Sequence, residues 1–292
     1  MEIIGHQKQW QFLKRIAKLG GLPHALLFCG EEKLGKKTIA FEFIKLICGE
    51  NFFERENPDF ILVQPEDKEI QIAQIRELCW RLALKPYSAP TKCAIIDQAH
   101  LMNEESQNSL LKTLEEPKGS TLLILIAQSP QLLFPTILSR CEILKFYPVK
   151  NSEIEKYLQS QGFSAKDSEE TAELSQGKPG AAIDFVREPQ KLELRKKNIE
   201  KFIKISKNDL FFRFQYAKEL SEDSLKRKEV LGIWLFFLRK VLISKLKNKE
   251  TFKEYSISKL KNFIQRIQNT IFLLSTTNAN PKLALEVLML EL

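Results

Sequence analysis

Four short apolar runs set most of the limits on how this chain can fold: HALLFCG (His24–Gly30), PDFILVQP (Pro58–Pro65), CAIIDQA (Cys93–Ala99) and TLLILIAQS (Thr121–Ser129). Each reads as a strand, PDFILVQP bounded by prolines, and near-continuous apolar runs such as TLLILIAQS suit strands covered on both faces. Between them lie amphipathic segments. KKTIAFEFIKLICG (Lys36–Gly49) spaces Ile39, Phe43 and Ile47 along one side of a helix. IQIAQIRELCWRLALKP (Ile70–Pro86) reads as a helix ended by its proline. NEESQNSLLKTLEEP (Asn103–Pro117) reads as a helix capped by Asn103 and stopped near Pro117. Strands alternating with helices in this way predict an α/β domain built on a parallel sheet, with helices on both faces.

After CEILKFYPV (Cys141–Val149) the strand signal stops. SEIEKYLQSQGF, KDSEETAELSQG and GAAIDFV predict three short helices. From about residue 190 the pattern is helical and lysine-rich, in FIKI, FFRFQYAKEL, VLGIWLFFLRKVLISKLK and LKNFIQRIQNTIFLL. GIWLFFL (Gly232–Leu238) is apolar all round and is expected at the centre of that bundle. The expected divisions are residues 1–147, 148–189 and 190–292.

With 43% hydrophobic and 28% charged residues, the chain has a globular composition. No apolar run reaches the ~20 residues of a membrane-spanning helix. The opening MEIIGHQKQW lacks the layout of a signal peptide, so a cytoplasmic location is expected. The five cysteines, Cys29, Cys48, Cys79, Cys93 and Cys141, form no C-x-x-C pair, and buried free thiols are expected. Charge is uneven. Residues 1–190 hold 23 Lys+Arg against 26 Asp+Glu, a net −3, while 191–292 hold 22 against 11, a net +11. A basic C-terminal third suits nucleic acid, an acidic partner, or simply solvated helix faces.

Three stretches carry chemistry. GEEKLGKKT (Gly30–Thr38) meets the phosphate-loop pattern at Gly30, Gly35 and Lys36, then puts Lys37 where a metal-binding hydroxyl belongs. Thr38 comes one residue too late, since one helical step turns a side chain by ~100°. In AIIDQAH (Ala94–His100), Asp97 ends a buried strand, as a magnesium-holding carboxylate would. Gln98 follows it, and an amide cannot take a proton as a carboxylate does. His100 reads as a polar strand-end residue, and Glu115–Glu116 as a helix-end charge pair. In TILSRCEILKF (Thr136–Phe146), Arg140 lies between Ser139 and Cys141, a fixed cation just before a strand.

In this order and spacing the motifs resemble the clamp-loader family of AAA+ ATPases. IIGHQKQWQFL and LPHALLFCG are similar to its N-terminal signature, and NPDF (Asn57–Phe60) to its HPD element. IIDQAHLMNEESQNSLLKTLEEP matches its Walker-B strand and following helix, and PTILSRC its SRC motif. LSQGKPGAAIDF is similar to its sensor-2 region, and NPKLALEVLMLEL to its closing helix. The resemblance implies an AAA+ domain (1–147), a small helical lid (148–189) and an all-α collar domain (190–292). It implies a subunit of the DNA polymerase III clamp loader, with gamma/tau and delta subunits, the sliding clamp and primed DNA as partners. It makes Arg140, with Ser139 and Cys141 in the motif, an arginine finger acting on a neighbour's ATP site. It places ATP and magnesium against Gly30, Gly35, Lys36, Lys37, Thr38, Asp97 and Gln98, a degenerate set. Motor subunits carry a sensor-2 arginine, and Lys178 is the candidate substitute. Hydrolysis is therefore not expected, while nucleotide binding stays open. Gly49–Glu56 is too short for the family's four-cysteine zinc module, so no zinc is expected, and Cys48 is read as its remnant. Two other readings stay in play: an ATP-hydrolysing motor subunit of the same machine, and a DNA-binding AAA+ protein using its basic third.

Overall fold

The computed structural model describes residues 3–53, 57–66, 68–246 and 256–292. The chain divides into two compact units, Met1–Val186 and Arg187–Leu292.

In the first unit the elements run α1 (Gln7–Leu19), β1 (Ala25–Cys29), α2 (Lys36–Cys48), β2 (Phe60–Val63), α3 (Ile72–Leu82), β3 (Lys92–Ile96), α4 (Glu104–Glu115), β4 (Thr121–Ala127), α5 (Pro135–Leu138) and β5 (Glu142–Lys145). All strand pairs among the described residues are parallel, in the order β2-β3-β4-β1-β5. The predicted parallel α/β sheet is what forms. Successive residues of a strand face opposite sides. Leu27 and Leu125 accordingly join a core with Ile75 and Leu78 of α3 and Leu110 and Leu114 of α4. Leu26, Phe28 and Ile124 join another with Leu13 of α1 and Ile39, Phe43 and Ile44 of α2. Burying each such side chain contributes about 1.5–3 kcal/mol relative to leaving it in water. Central β1 and β3 are buried throughout, whereas edge strand β5 buries only Leu144 of its four residues.

Asn103 caps α4 as expected, accepting a 2.9 Å hydrogen bond from the Ser106 backbone. The α3 helix is shorter than its apolar pattern. Ile70 instead makes a parallel bridge with Met102, and the helix stops well before Pro86, which disfavours helical geometry in the residue preceding it. Asp59 of the NPDF element is fully buried. Its carboxylate accepts from the backbones of Tyr87, Ser88 and Ala89 at 2.7, 2.8 and 2.9 Å, which fixes the loop before β3. Residues 54–56, within the segment expected to lack a zinc module, lie outside the described residues. Cys48 sits 3.7 Å from the Cys93 sulfur.

The unit closes with α6 (Asn151–Ser160), α7 (Ala165–Leu174) and the start of α8 (Pro179–Arg187), the three short helices expected. Ile4, Ile154, Leu158, Ala172 and Ala182 form their core.

The second unit contains α9 (Pro189–Lys207), α10 (Leu210–Ser221), α11 (Ser224–Leu246), α12 (Ile257–Thr276) and α13 (Pro281–Leu290). GIWLFFL lies in the middle of α11 with no residue exposed, as its all-round apolarity predicts. Trp234 is fully buried, with the Phe202 ring 4.8 Å away and Tyr216 stacked at 5.9 Å. Lys247, the last residue of the predicted segment, lies outside the described residues. Among the described residues no helix is long and apolar enough to cross a membrane.

Candidate functional site

The carboxyl ends of β1, β3 and β4 open onto a cleft of about 390 Å³, bordered by Gly35, Lys36, Lys37, Thr38, Asp97 and Gln98. In open parallel sheets this is the end where ligands bind, where the strand order reverses. The loop from Gly30 leads into α2 at Gly35. Gly30 has φ +153°, and a Cβ there would stand 2.5 Å from the Phe146 carbonyl oxygen, so glycine is required for β1 to turn beneath that strand end. His6 supports the loop, its Nε2 2.9 Å from the Leu34 carbonyl. Burial pushes the His6 imidazole below its usual value, against the opposing effects of that carbonyl and Glu153. This role escaped the sequence reading, because contact between residues 28 positions apart leaves no periodic signal.

Lys36 is 6% exposed, and its ammonium bends back onto the loop. It donates to the Gly30 carbonyl and, at 2.6 Å, to that of Glu31. Burial lowers its pKa, opposed by the negative charges around it, Glu32 first among the carboxylates. Lys37 reaches across the cleft and donates to Asp97 Oδ2 at 2.9 Å. Gln64 donates to the same oxygen at 3.3 Å. Thr38 borders the cleft behind them, and Gln98 stands beside Asp97 in a left-handed conformation with φ 55°. His100 lies in the short 3-10 turn after β3 and borders the cleft too.

The glycine-containing loop and Asp97 form the frame of a magnesium–nucleotide site, but the donor set does not fit the metal. Magnesium requires a near-octahedral shell of oxygens, usually including carboxylates and waters. Here an ammonium stands on the one strand-end carboxylate. A second cation ~4 Å from it would meet on the order of 4 kcal/mol of repulsion per unit charge, less what solvent screens at half-exposed Lys37.

Arg140 stands elsewhere. It follows α5 and precedes β5, in a cleft with Pro23, His24, Ala25 and Glu142, the residues at the amino ends of β1 and β5. Its Nη2 pairs with Glu115 Oε1 at 2.7 Å, and its Nη1 donates to the Thr136 carbonyl at 2.9 Å and to Ser139 Oγ at 3.0 Å. Ser139 in turn donates to that same carbonyl at 3.0 Å. Glu115, read from sequence as a helix-end charge, is the carboxylate that holds this arginine. Burial pushes the Cys141 thiol up to about 12, which leaves it a packing residue and not a nucleophile. The five residues of β1 separate the two clefts, four steps of about 3.3 Å or roughly 13 Å. The sequence-predicted residues thus fall into two groups at opposite ends of one sheet, the loop residues with Asp97 and Gln98 at one and Ser139–Arg140–Cys141 at the other.

The family described as DNA polymerase III, delta subunit, matches residues 5–150. A DNA polymerase III subunit delta' of Bacillus subtilis is 33% identical over 193 residues, which cover 61% of this chain and 58% of that protein. One from Pseudomonas aeruginosa is 32% identical over 145 residues, 43% of this chain and 44% of that protein. The chain thus spans about half the length of the curated relatives it matches. A solved structure of Thermotoga maritima RuvB, 18% identical, superposes with a TM-score of 0.51 over 67% of this chain and 65% of that one. That likeness is one of fold.

Proposed function

This chain belongs to the family described as DNA polymerase III, delta subunit, and from that premise we propose that it is a clamp-loader subunit acting as a non-hydrolysing stator that lends Arg140 to a neighbour's ATP site. In this reading residues 1–147 are the AAA+ domain, 148–189 its lid and 190–292 the part that joins the other subunits. Gamma/tau and delta subunits are its neighbours, and a sliding clamp and primed DNA are the cargo of the assembly.

One observation carries the reading. Arg140 lies at the end of the sheet remote from the chain's own cleft, so its guanidinium is out of reach of any phosphate bound there. A half-exposed arginine held by a helix end, a backbone carbonyl and a serine is suited to a partner's ligand. A guanidinium at a transferring phosphoryl group stabilises the charge that spreads over its oxygens. Lys37 on Asp97, and Gln98 where a hydrolytic carboxylate would stand, support the non-hydrolysing half of the proposal.

The test is reconstitution with gamma/tau and delta subunits and the clamp, comparing the clamp- and DNA-stimulated ATPase of the native assembly and of Arg140→Ala. The expected result is a fall on the order of 10³-fold at the one site Arg140 completes. An unchanged rate overturns the finger, and turnover by the purified chain alone overturns the stator.

A further inference from the structure

We propose that the Lys37 ammonium is a built-in cation that takes a metal ion's seat on Asp97 and closes the cleft to magnesium-bound nucleotide. This deepens the stator reading by giving a physical cause for a silent site, and it concerns a residue 103 positions from Arg140 in the chain and at the other end of the sheet.

The chemistry follows from the contacts. A phosphate-loop site holds its metal between a hydroxyl at the start of the helix and the strand-end carboxylate. Position 37 supplies a four-carbon stem in place of the hydroxyl, long enough to cross the gap and set a full positive charge 2.9 Å from Asp97 Oδ2. Asp97 is mostly buried, with its side chain 13% exposed, so the ammonium compensates its charge where water does so poorly. Gln64 donates to the same oxygen, which crowds it further.

The other lysines around the cleft are engaged in the same manner. Lys36, the side chain that would meet the phosphates, is spent on the Gly30 and Glu31 carbonyls. Lys33 pairs with Asp184 of α8 at 2.8 Å, and its carbonyl accepts from the Gly180 backbone at 2.8 Å. A Cβ on Gly180 would come within 2.9 Å of that carbonyl oxygen, so only glycine lets α8 approach the loop this closely. Lys178, expected as a substitute sensor, pairs with Glu31 at 2.5 Å. Each lysine of the loop is therefore engaged within the chain, and Lys33 fastens α8 to the loop.

Binding of a non-hydrolysable ATP analogue to the full chain, in magnesium and in EDTA, tests the proposal. For the native protein the expected result is the same affinity with and without metal, or no binding in either. Lys37→Thr removes the ammonium and supplies the hydroxyl. It should bind the analogue about tenfold or more tightly in magnesium than in EDTA, equivalent to about 1.4 kcal/mol. Lys37→Met removes the charge alone and should show a smaller gain in the same direction, with manganese titration reporting a metal on the freed Asp97. Circular dichroism confirms that each variant is folded, and the methionine variant decides the matter if the threonine one is not. Native binding that tightens tenfold in magnesium overturns the proposal. So does a folded variant set with no metal dependence. Neither result bears on Arg140→Ala, so the two readings fail separately.

Discussion

The two ends of the sheet hold the same kind of bond, a cationic side chain on an acidic oxygen, and differ in how firmly the acid is set. At the carboxyl end the acid is Asp97, 13% exposed, at the tip of a central strand and shared with Gln64. At the amino end it is Glu115, 49% exposed, the last residue of a helix. An exposed pair contributes about 0–1 kcal/mol, so a competing anion displaces Glu115 from Arg140 at small cost, as the proposed role requires. Removing the cation from a mostly buried carboxylate leaves that charge poorly compensated, so the Lys37 pair is the costlier of the two to break. In the proposed roles, firmness of the acid is what separates a silenced site from one offered to a neighbour.

The most severe challenge to this contrast is Arg140→Lys. It keeps the charge and loses the planar fork, and the rate at the completed site should fall on the order of 10²-fold in the reconstituted assembly. A rate near native would mean that charge alone suffices. Next comes Asp59, also toward the amino ends of the strands but buried. If burial and not location makes a carboxylate firm, Asp59→Ala should cost about 3 kcal/mol in urea unfolding, because it strands backbone donors at residues 87–89. Burial pushes the Asp59 carboxyl up, but the Ser88, Tyr87 and Ala89 donors, with Lys92, outweigh it and hold it below its usual value. A depressed carboxylate adds stability above its unfolded pKa of about 3.9, and that stability is lost as pH falls through the lower folded value. The native protein should therefore lose stability below about pH 4 more steeply than Asp59→Asn. At the cleft, Lys36→Met keeps the stem and removes the ammonium, and should cost about 1–2 kcal/mol in the same assay. The smallest effect belongs to Glu115→Gln, expected within about 0.5 kcal/mol of native. A larger loss there would make Glu115 as firm as Asp97 and erase the distinction.

The sheet was readable in the sequence because its central strands are covered on both faces and stay apolar throughout. α4 was readable through its Asn103 cap, and α11 through the apolar GIWLFFL. The expected strand Cys141–Val149 shrank to Glu142–Lys145, because an edge strand has one neighbour to pair with. The chemistry was half readable. Lys37 could be named as wrong for a metal, but its partner lies 60 residues away on a strand two places across the sheet, and local spacing carries no such pairing. The same holds for His6 beneath Leu34 and for Glu115 on Arg140. Arg140's remoteness from the loop is a consequence of strand direction, since the residues entering β5 and those leaving β1 lie at opposite ends of a parallel pair.

The placement of the indoles has a practical consequence. The chain has three tryptophans, of which Trp10 and Trp80 belong to the first unit and fully buried Trp234 to the second. Replacing the first two by phenylalanine leaves a fluorophore that reports on the helical bundle alone. The melting of the C-terminal bundle could then be followed optically in the intact chain, without cutting it away from its neighbour.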